Sequence, residues 1–155
     1  MKSLQIFAAL MLLAFGELAH AGTKSKCDVV RALRNENVQD SEMRDWLCLV
    51  KHESAYKYTA KNSNNDGSTD YGIFQLNDRY WCGRGSTKYS KCWQINTYGC
   101  GVDFCNDFLN SNIADDTSCA VKIKTCNSFS KWYAWIKHCK GKNLCSKSEY
   151  DFSNC

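Results

Sequence analysis

One carboxylate, Glu53, lies at the end of an apolar stripe that predicts an amphipathic helix. The stripe has the i, i+3, i+4 and i+7 spacing of one helix face and consists of Met43, Trp46, Leu47 and Val50. Since Glu53 follows Val50 by three residues, it extends the face that packs inward, where burial and the helix dipole both disfavour a negative charge. Glu53 is therefore a candidate proton donor with a raised pKa. The alternative is a solvated, salt-bridged helix end.

A second carboxylate, Asp70, lies 17 residues later in a segment whose residue pattern predicts strands rather than a helix. An Asn-Asp-Gly turn at 65–67 separates two stretches rich in Tyr, Thr and Ile, which predicts a β-hairpin over 57–77. Asp70 falls in the second strand, close to the polar residues Asn62, Asn64, Ser68 and Asn77. Because polar neighbours can hydrogen-bond the charged form, we expect this carboxylate to remain ionised.

This pair of carboxylates is the arrangement that glycoside hydrolysis requires. A protonated carboxyl group can protonate the leaving oxygen, and an ionised one can attack or stabilise the sugar cation. The interpretation requires the end of the Glu53 helix and the hairpin to face each other across a cleft.

Helices are predicted on the N-terminal side of the hairpin. A short helix is expected over 26–34, and the Glu53 helix over 43–54 with Asp40 or Ser41 as its cap. Residues 78–101, just beyond the hairpin, are rich in Gly, Ser, Tyr and Cys and predict a long loop.

The last third of the chain predicts helices again, over 120–126 and 130–138. In the second of these, Trp132, Trp135 and Ile136 have helical spacing, and we interpret Trp135 as a core residue rather than a ligand contact. Helices, a small sheet and further helices together predict an α+β fold.

The first 21 residues have the pattern of a secretory signal peptide. Lys2 precedes an apolar run over 4–15, and the small residues Ala19 and Ala21 mark a cleavage site. The run is too short for a membrane span, and the sequence gives no reason to expect stable membrane insertion. Cleavage after Ala21 would leave residues 22–155 as a single secreted domain, which we expect to be monomeric.

The net charge of +4 is mild and the positive residues are scattered, so the chain lacks the basic stripe of a nucleic-acid-binding protein. The same charge favours encounter with anionic bacterial walls, and makes killing by membrane contact an accessory activity at most. We expect no cofactor. Beyond the signal peptide only His52 and His138 remain, and neither lies in a zinc-ligand cluster.

Eleven cysteines, all after residue 21, predict a disulfide scaffold in a secreted chain. Because eleven is odd, at least one cysteine must be free, capped or joined to another molecule.

Several motifs together resemble the c-type lysozyme and α-lactalbumin superfamily. They are HESAY at 52–56, NNDGSTDYGIFQLN at 64–77, RYWC at 79–82, CAVKIK at 119–124 and WYAWIKHC at 132–139. The resemblance implies a helical lobe and a small β-sheet lobe with a cleft between them. It also implies a retaining muramidase that cleaves the β-1,4 bond between N-acetylmuramic acid and N-acetylglucosamine in bacterial peptidoglycan. Glu53 would be the general acid/base and Asp70 the nucleophile, as in catalytic members of the family.

The resemblance also implies roles for other residues. The implied substrate-binding set is Asn64, Ser68, Asn77, Tyr80, Trp81 and Trp132. The polar members would hold Asp70 and contact the sugar, Trp132 would pack beside the acid, and the aromatic pair at 80–81 would stack on sugars. Ordinary core packing is the alternative for that pair.

Four disulfides follow from the resemblance: Cys27–Cys155, Cys48–Cys139, Cys82–Cys105 and Cys100–Cys119. Cys92, Cys126 and Cys145 are additional, and any two of them could form a fifth bridge.

The stretch at 106–116 resembles the calcium loop of α-lactalbumin, with Asp115, Asp116 and Asn110 at its ligand positions. The alternative is a helix start with favourable acidic residues, and our main prediction is no metal.

A catalytically silent binding protein on the same fold, for which α-lactalbumin is the precedent, is the alternative function. Because Glu53 and Asp70 are both present, we favour catalysis, in antibacterial defence or in the digestion of microbes.

Overall fold

The computed structural model describes residues 22–155, so the predicted signal peptide at 1–21 lies outside the described residues. The helices are α1 (Lys26–Asn35), α2 (Asp40–Ser54), α3 (Cys92–Tyr98), α4 (Ala114–Asn127) and α5 (Tyr133–His138). Single 3-10 turns occupy Cys105–Leu109, Phe129–Lys131, Leu144–Ser146 and Ser148–Tyr150. The strands are β1 (Lys61–Ser63), β2 (Thr69–Tyr71) and β3 (Leu76–Asn77), in the antiparallel order β1-β2-β3. The predicted α+β fold is confirmed.

The apolar stripe of α2 forms the centre of the helical lobe. Met43, Trp46, Leu47 and Val50 are all fully buried, as are the inward-facing residues of α1. The Trp46 ring makes edge contacts with Phe74, Phe129 and Trp132, at centroid distances of 5.7, 4.8 and 6.0 Å. Such aromatic contacts add to the stability gained by burying the rings. The helical periodicity therefore identified this face correctly.

The predicted hairpin is formed by β1 and β2. Asn62 pairs with Asp70, and Asn64 N–H donates to the Ser68 carbonyl at 2.8 Å to close the turn. On the other side of β2, Asp70 pairs with Asn77 of β3. The carboxylate is thereby placed on the central strand, between two strands that carry amide side chains.

Three helix starts differ from the prediction. The helix predicted over 130–138 begins only at Tyr133, because Phe129–Lys131 forms a 3-10 turn and Trp132 has an extended backbone. The N-cap of α2 is Gln39, whose side chain makes no capping hydrogen bond to the helix, so capping by Asp40 or Ser41 was wrong. The Asp40 carboxylate instead accepts two hydrogen bonds from Arg34. Helix α4 begins at Ala114, six residues earlier than predicted, because buried Asp116 and Thr117 belong to its first turn despite being polar.

Two further predictions, one for a loop and one for a buried side chain, were also wrong. The loop expected over 78–101 contains α3. Ile136 is 42% exposed although its spacing placed it on an inner face, because α5 is a short helix that buries little of its surface. Trp135, in contrast, packs against the core as predicted: it is half-buried, stacks on Phe129 and donates from Nε1 to Asp45 Oδ1 at 2.8 Å.

The structure contains five disulfides among the described residues. Four are the pairs implied by the resemblance, Cys27–Cys155, Cys48–Cys139, Cys82–Cys105 and Cys100–Cys119. The fifth joins Cys92 to Cys126 and leaves Cys145 free and exposed. Within residues 22–155, no helix combines the length and apolar character needed to cross a bilayer.

Candidate active site

A cleft with a volume of about 660 Å³ lies between the helical and sheet lobes. Six residues singled out from the sequence line it: Glu53, Asp70, Asn77, Tyr80, Trp81 and Trp132. A cleft of this size with converging polar groups has the form of a ligand site. Both candidate catalytic carboxylates therefore face one cavity.

Glu53 is in the last turn of α2 and is half-buried, so the outward-turned alternative is wrong. Burial raises the pKa of its carboxyl group to about 7, and the negative charge of Asp70 adds to the rise. The backbone N–H of Ala134 acts in the opposite direction by hydrogen bonding to the charged form. A substantial fraction of Glu53 is thus protonated near neutral pH, as a general acid requires.

Asp70 is held by amide donors from both neighbouring segments. Asn77 Nδ2 donates to Asp70 Oδ1 at 2.8 Å, and Asn64 Nδ2 donates to Asp70 Oδ2 at 2.9 Å. These two hydrogen bonds fix the orientation of the Asp70 side chain.

Ser68 is buried behind this pair of amides. Its hydroxyl oxygen accepts from Asn77 Nδ2 at 2.9 Å and from Asn64 Nδ2 at 3.2 Å, and its proton goes to Asp66 Oδ1 at 2.6 Å. Ser68 and Asn64 are not part of the cleft lining. The structure therefore places them as supports of Asp70 rather than on the cavity surface.

Two hydrogen bonds fix Glu53 relative to Asp70. Ser54, next to Glu53, donates its hydroxyl to the Ile73 carbonyl at 2.7 Å, and Trp132 Nε1 donates to the Phe74 carbonyl at 2.9 Å. Both acceptors lie in the segment that directly follows the Asp70 strand. The two lobes are thus joined beside the carboxylates, and the separation of the two acids does not depend on flexible loops.

Gly72 allows this segment to pack closely. Its φ is +74°, and a Cβ there would lie 2.3 Å from the Phe108 carbonyl oxygen and 2.5 Å from Asp116 Oδ1. A side chain would therefore displace the turn that carries the Ile73 and Phe74 carbonyls.

Aromatic side chains form the walls of the cleft. Tyr80 is 50% exposed, which excludes the core alternative for this residue, and its ring centroid is 6.1 Å from that of half-buried Trp81. Trp132 is 5% exposed and forms an apolar wall of the same cavity as Glu53. Exposed aromatic faces are suited to stacking on sugar rings.

The sequence profile of the C-type lysozyme/alpha-lactalbumin family matches residues 23–151. The chain belongs to this family. Lysozyme c-1 of Anopheles gambiae is 38% identical over 143 residues, which cover 91% of this chain and 95% of that protein. The lysozyme of Bombyx mori is 38% identical over 155 residues, covering 100% of both. The crystal structure of lysozyme from Equus asinus is 35% identical, with a TM-score of 0.63, and the match covers 83% of this chain and 95% of that one. The family recognition and the lysozyme-like fold are confirmed.

Sequence reasoning missed five residues that line the cleft: Gln75, Asn96, Asn127, Lys131 and Tyr133. Lys131 and Tyr133 flank Trp132 in the sequence, so they could have been predicted from their position next to an implied substrate-binding residue. Asn96 had none, because α3 was not predicted.

The three side chains considered for calcium have separate partners in the structure. Asn110 Oδ1 accepts from the Asn112 N–H, and Asp115 pairs with Lys88 at 3.7 Å. The Asp116 carboxylate is fully buried beneath Gly72 and Phe108. Hard cations need several oxygen ligands directed at one point, and these three side chains have separate surroundings. Among residues 22–155, no group of three or more His, Cys, Asp or Glu side chains could hold a metal ion.

Asp116 is instead a buried acid whose carboxylate oxygens make no hydrogen bond. Burial raises the pKa of its carboxyl group to about 8, although nearby backbone N–H groups of Asp116 and Ile73 oppose the rise. The folded state therefore binds more protons than the unfolded state between about pH 4 and pH 8. Stability contributed by the neutral acid is fully present below this window and is lost as pH rises through it.

An Asp116→Asn variant is expected to match the parent's free energy of unfolding near pH 4. Near pH 8 it should exceed the parent by on the order of 3–5 kcal/mol, because the amide has no charge to bury. Denaturant unfolding of both proteins at pH 4, 6 and 8 measures the difference. A difference that does not grow with pH would mean that Asp116 is ionised in the folded protein. Asp103→Asn, at an exposed position, is the control.

Proposed function

We propose that this chain is a secreted muramidase that cleaves the β-1,4 bond between N-acetylmuramic acid and N-acetylglucosamine of bacterial peptidoglycan with retention of configuration. The chain is a glycoside hydrolase of the lysozyme type, as its family and relatives show. One observation supports the specific substrate and mechanism. Glu53, whose pKa is raised to about 7, shares one cleft with the Asp70 carboxylate, which two amide side chains hold in place.

In the first step, protonated Glu53 donates its proton to the oxygen that leaves the sugar. As the C1–O bond breaks, a carboxylate oxygen of Asp70 bonds to C1 on the opposite face of the ring, giving a glycosyl-enzyme. Trp132, which is 5% exposed, lines the same cavity as Glu53 and supplies an apolar wall suited to excluding water from it. The side chains of Asn64 and Asn77 keep Asp70 in its attacking orientation.

In the second step, the Glu53 carboxylate takes a proton from water while the water oxygen bonds to C1. The bond to Asp70 breaks, and both carboxyl groups return to their starting states. Two displacements at one carbon give retention of configuration. A single group serves as acid and then as base, which is why its pKa must lie near the working pH.

The surroundings in which the enzyme acts are also part of the proposal. The signal-peptide pattern and the disulfide scaffold support secretion, and a net charge of +4 supports encounter with anionic walls. The protein would act as a monomer on peptidoglycan, in antibacterial defence or in microbial digestion.

The test is the clearing of a peptidoglycan suspension by the oxidised protein without residues 1–21, from pH 4 to 9. We expect clearing whose rate falls as pH rises through about 7, because only protonated Glu53 can act as the acid. NMR of a soluble glycan fragment should show the β-anomer first. Absence of clearing throughout the range would favour the silent binding protein, and the α-anomer first would exclude retention.

A further inference from the structure

Helix α3 supplies part of the cleft wall and is anchored at both ends. The Cys92–Cys126 disulfide joins its first residue to α4. Just beyond its C-terminus, the Cys100 N–H donates to the Trp81 carbonyl at 2.9 Å, and the Cys100 side chain is bonded to Cys119. These connections hold α3 on a rigid base. The side chain that α3 directs to the cleft, Asn96, is therefore fixed relative to the catalytic pair.

Asn96 forms a side-chain pair with Asn127 in this wall. Asn127 Nδ2 donates to Asn96 Oδ1 at 2.8 Å and to the Ile123 carbonyl at 3.2 Å. Since a carbonyl can only accept, the Ile123 contact determines which end of the Asn127 amide is the nitrogen. Asn96 must then accept through its oxygen.

This arrangement leaves one acceptor and one donor group free. Both protons of Asn127 Nδ2 are used, so Asn127 Oδ1 remains as an acceptor, while Asn96 Nδ2 keeps its two protons. Within residues 22–155, neither atom has a hydrogen-bond partner. Both residues border the cavity that contains Glu53 and Asp70.

A neighbouring donor and acceptor are complementary to a secondary amide, which offers one N–H and one C=O. We propose that Asn96 and Asn127 bind a secondary amide of the substrate, with its N–H donating to Asn127 Oδ1 and its C=O accepting from Asn96 Nδ2. This inference rests on the proposed function, because peptidoglycan supplies such a group in two forms: the acetamido group of its sugars and the peptide bonds of its stems. The pair is uncharged and would select for amides rather than for charge.

The role predicted for Asn96 is in substrate binding and not in bond cleavage. An Asn96→Asp variant keeps the side-chain shape and still accepts from Asn127, but it has lost the donor. We expect the Kd for substrate to rise about three- to tenfold, the usual effect of losing one hydrogen bond, with kcat within about twofold of the parent. The nearly isosteric and neutral Asn96→Leu loses the donor and also the acceptor of Asn127 Nδ2, so it should show at least the same loss. Asn143→Asp, exposed and outside the cleft, adds the same charge and should change neither value.

Tryptophan fluorescence titrations measure Kd for two probes: the N-acetylglucosamine hexamer and a soluble peptidoglycan fragment that carries stem peptides. Weaker binding of both probes by the Asn96 variants would identify the acetamido group as the ligand. Weaker binding of the peptide-bearing fragment alone would identify the stem. Unchanged Kd for both would overturn the inference.

The same titrations in a Glu53→Gln background report binding without turnover. If the muramidase proposal fails, the parent protein will bind the probes without cleaving them. If the amide-binding inference fails, the Asn96 variants will bind the probes as tightly as the parent.

Discussion

A Glu53→Gln protein is expected to cleave peptidoglycan about a thousandfold more slowly than the parent, which is within the range for loss of a general acid. Glutamine keeps the size of the side chain and its place beneath α5, but it has no proton to give the leaving oxygen. Glutamine is also neutral, so it is compatible with a position where burial disfavours the charged form and raises the pKa of the Glu53 carboxyl group. We therefore expect a folded and nearly inactive protein.

Initial rates of reducing-end release at saturating substrate measure this effect. Glu36→Gln is the matched control, because Glu36 is a glutamate outside the cleft, and it should behave like the parent. The residual activity of Glu53→Gln should lack the decline near pH 7. A variant that retains more than a tenth of the parental kcat would refute the role of Glu53 as the acid.

The placement of Glu53 illustrates what periodicity can predict. A three-residue step from Val50 was enough to put the carboxyl group on the inner face of α2, because a helix of this length has one regular geometry. The hairpin was equally accessible, since the Asn-Asp-Gly turn sets the register that aligns Asp70 with its amide neighbours. Local patterns thus determined where each acid lies on its own element.

The relation between the two acids required the three-dimensional structure. It depends on the Ser54 hydroxyl and the Trp132 indole, which donate to successive carbonyls at 73 and 74. Such hydrogen bonds to backbone carry no sequence signature. Asn96 escaped prediction for a related reason: α3 is seven residues long and is anchored by covalent bridges, so its order does not arise from an apolar stripe.

Replacing Asp70 with Asn is expected to lower kcat about 10²- to 10³-fold, the range for removing one group that stabilises transition-state charge. A neutral amide cannot form the glycosyl-enzyme, and it removes the charge that would stabilise the sugar cation. In the parent, the side-chain nitrogens of Asn64 and Asn77 each donate to one oxygen of Asp70. In the variant, the NH₂ of the introduced amide must face one of these two nitrogens. One donor would then lose its partner, so the hairpin should also become modestly less stable, by about 1 kcal/mol.

The pH profile separates this variant from Glu53→Gln. Asp70→Asn keeps the titrating acid, so its residual activity should still decline at alkaline pH. The Asp70 charge contributes to the raised pKa of Glu53, so its removal should move that decline below the parental position near pH 7. Rates of the parent, Asp70→Asn and the exposed control Asp103→Asn from pH 4 to 9 measure the shift. A decline at an unchanged or higher pH would mean that the two carboxylates are not electrostatically coupled, and the division of roles between acid and nucleophile would then lose its physical basis.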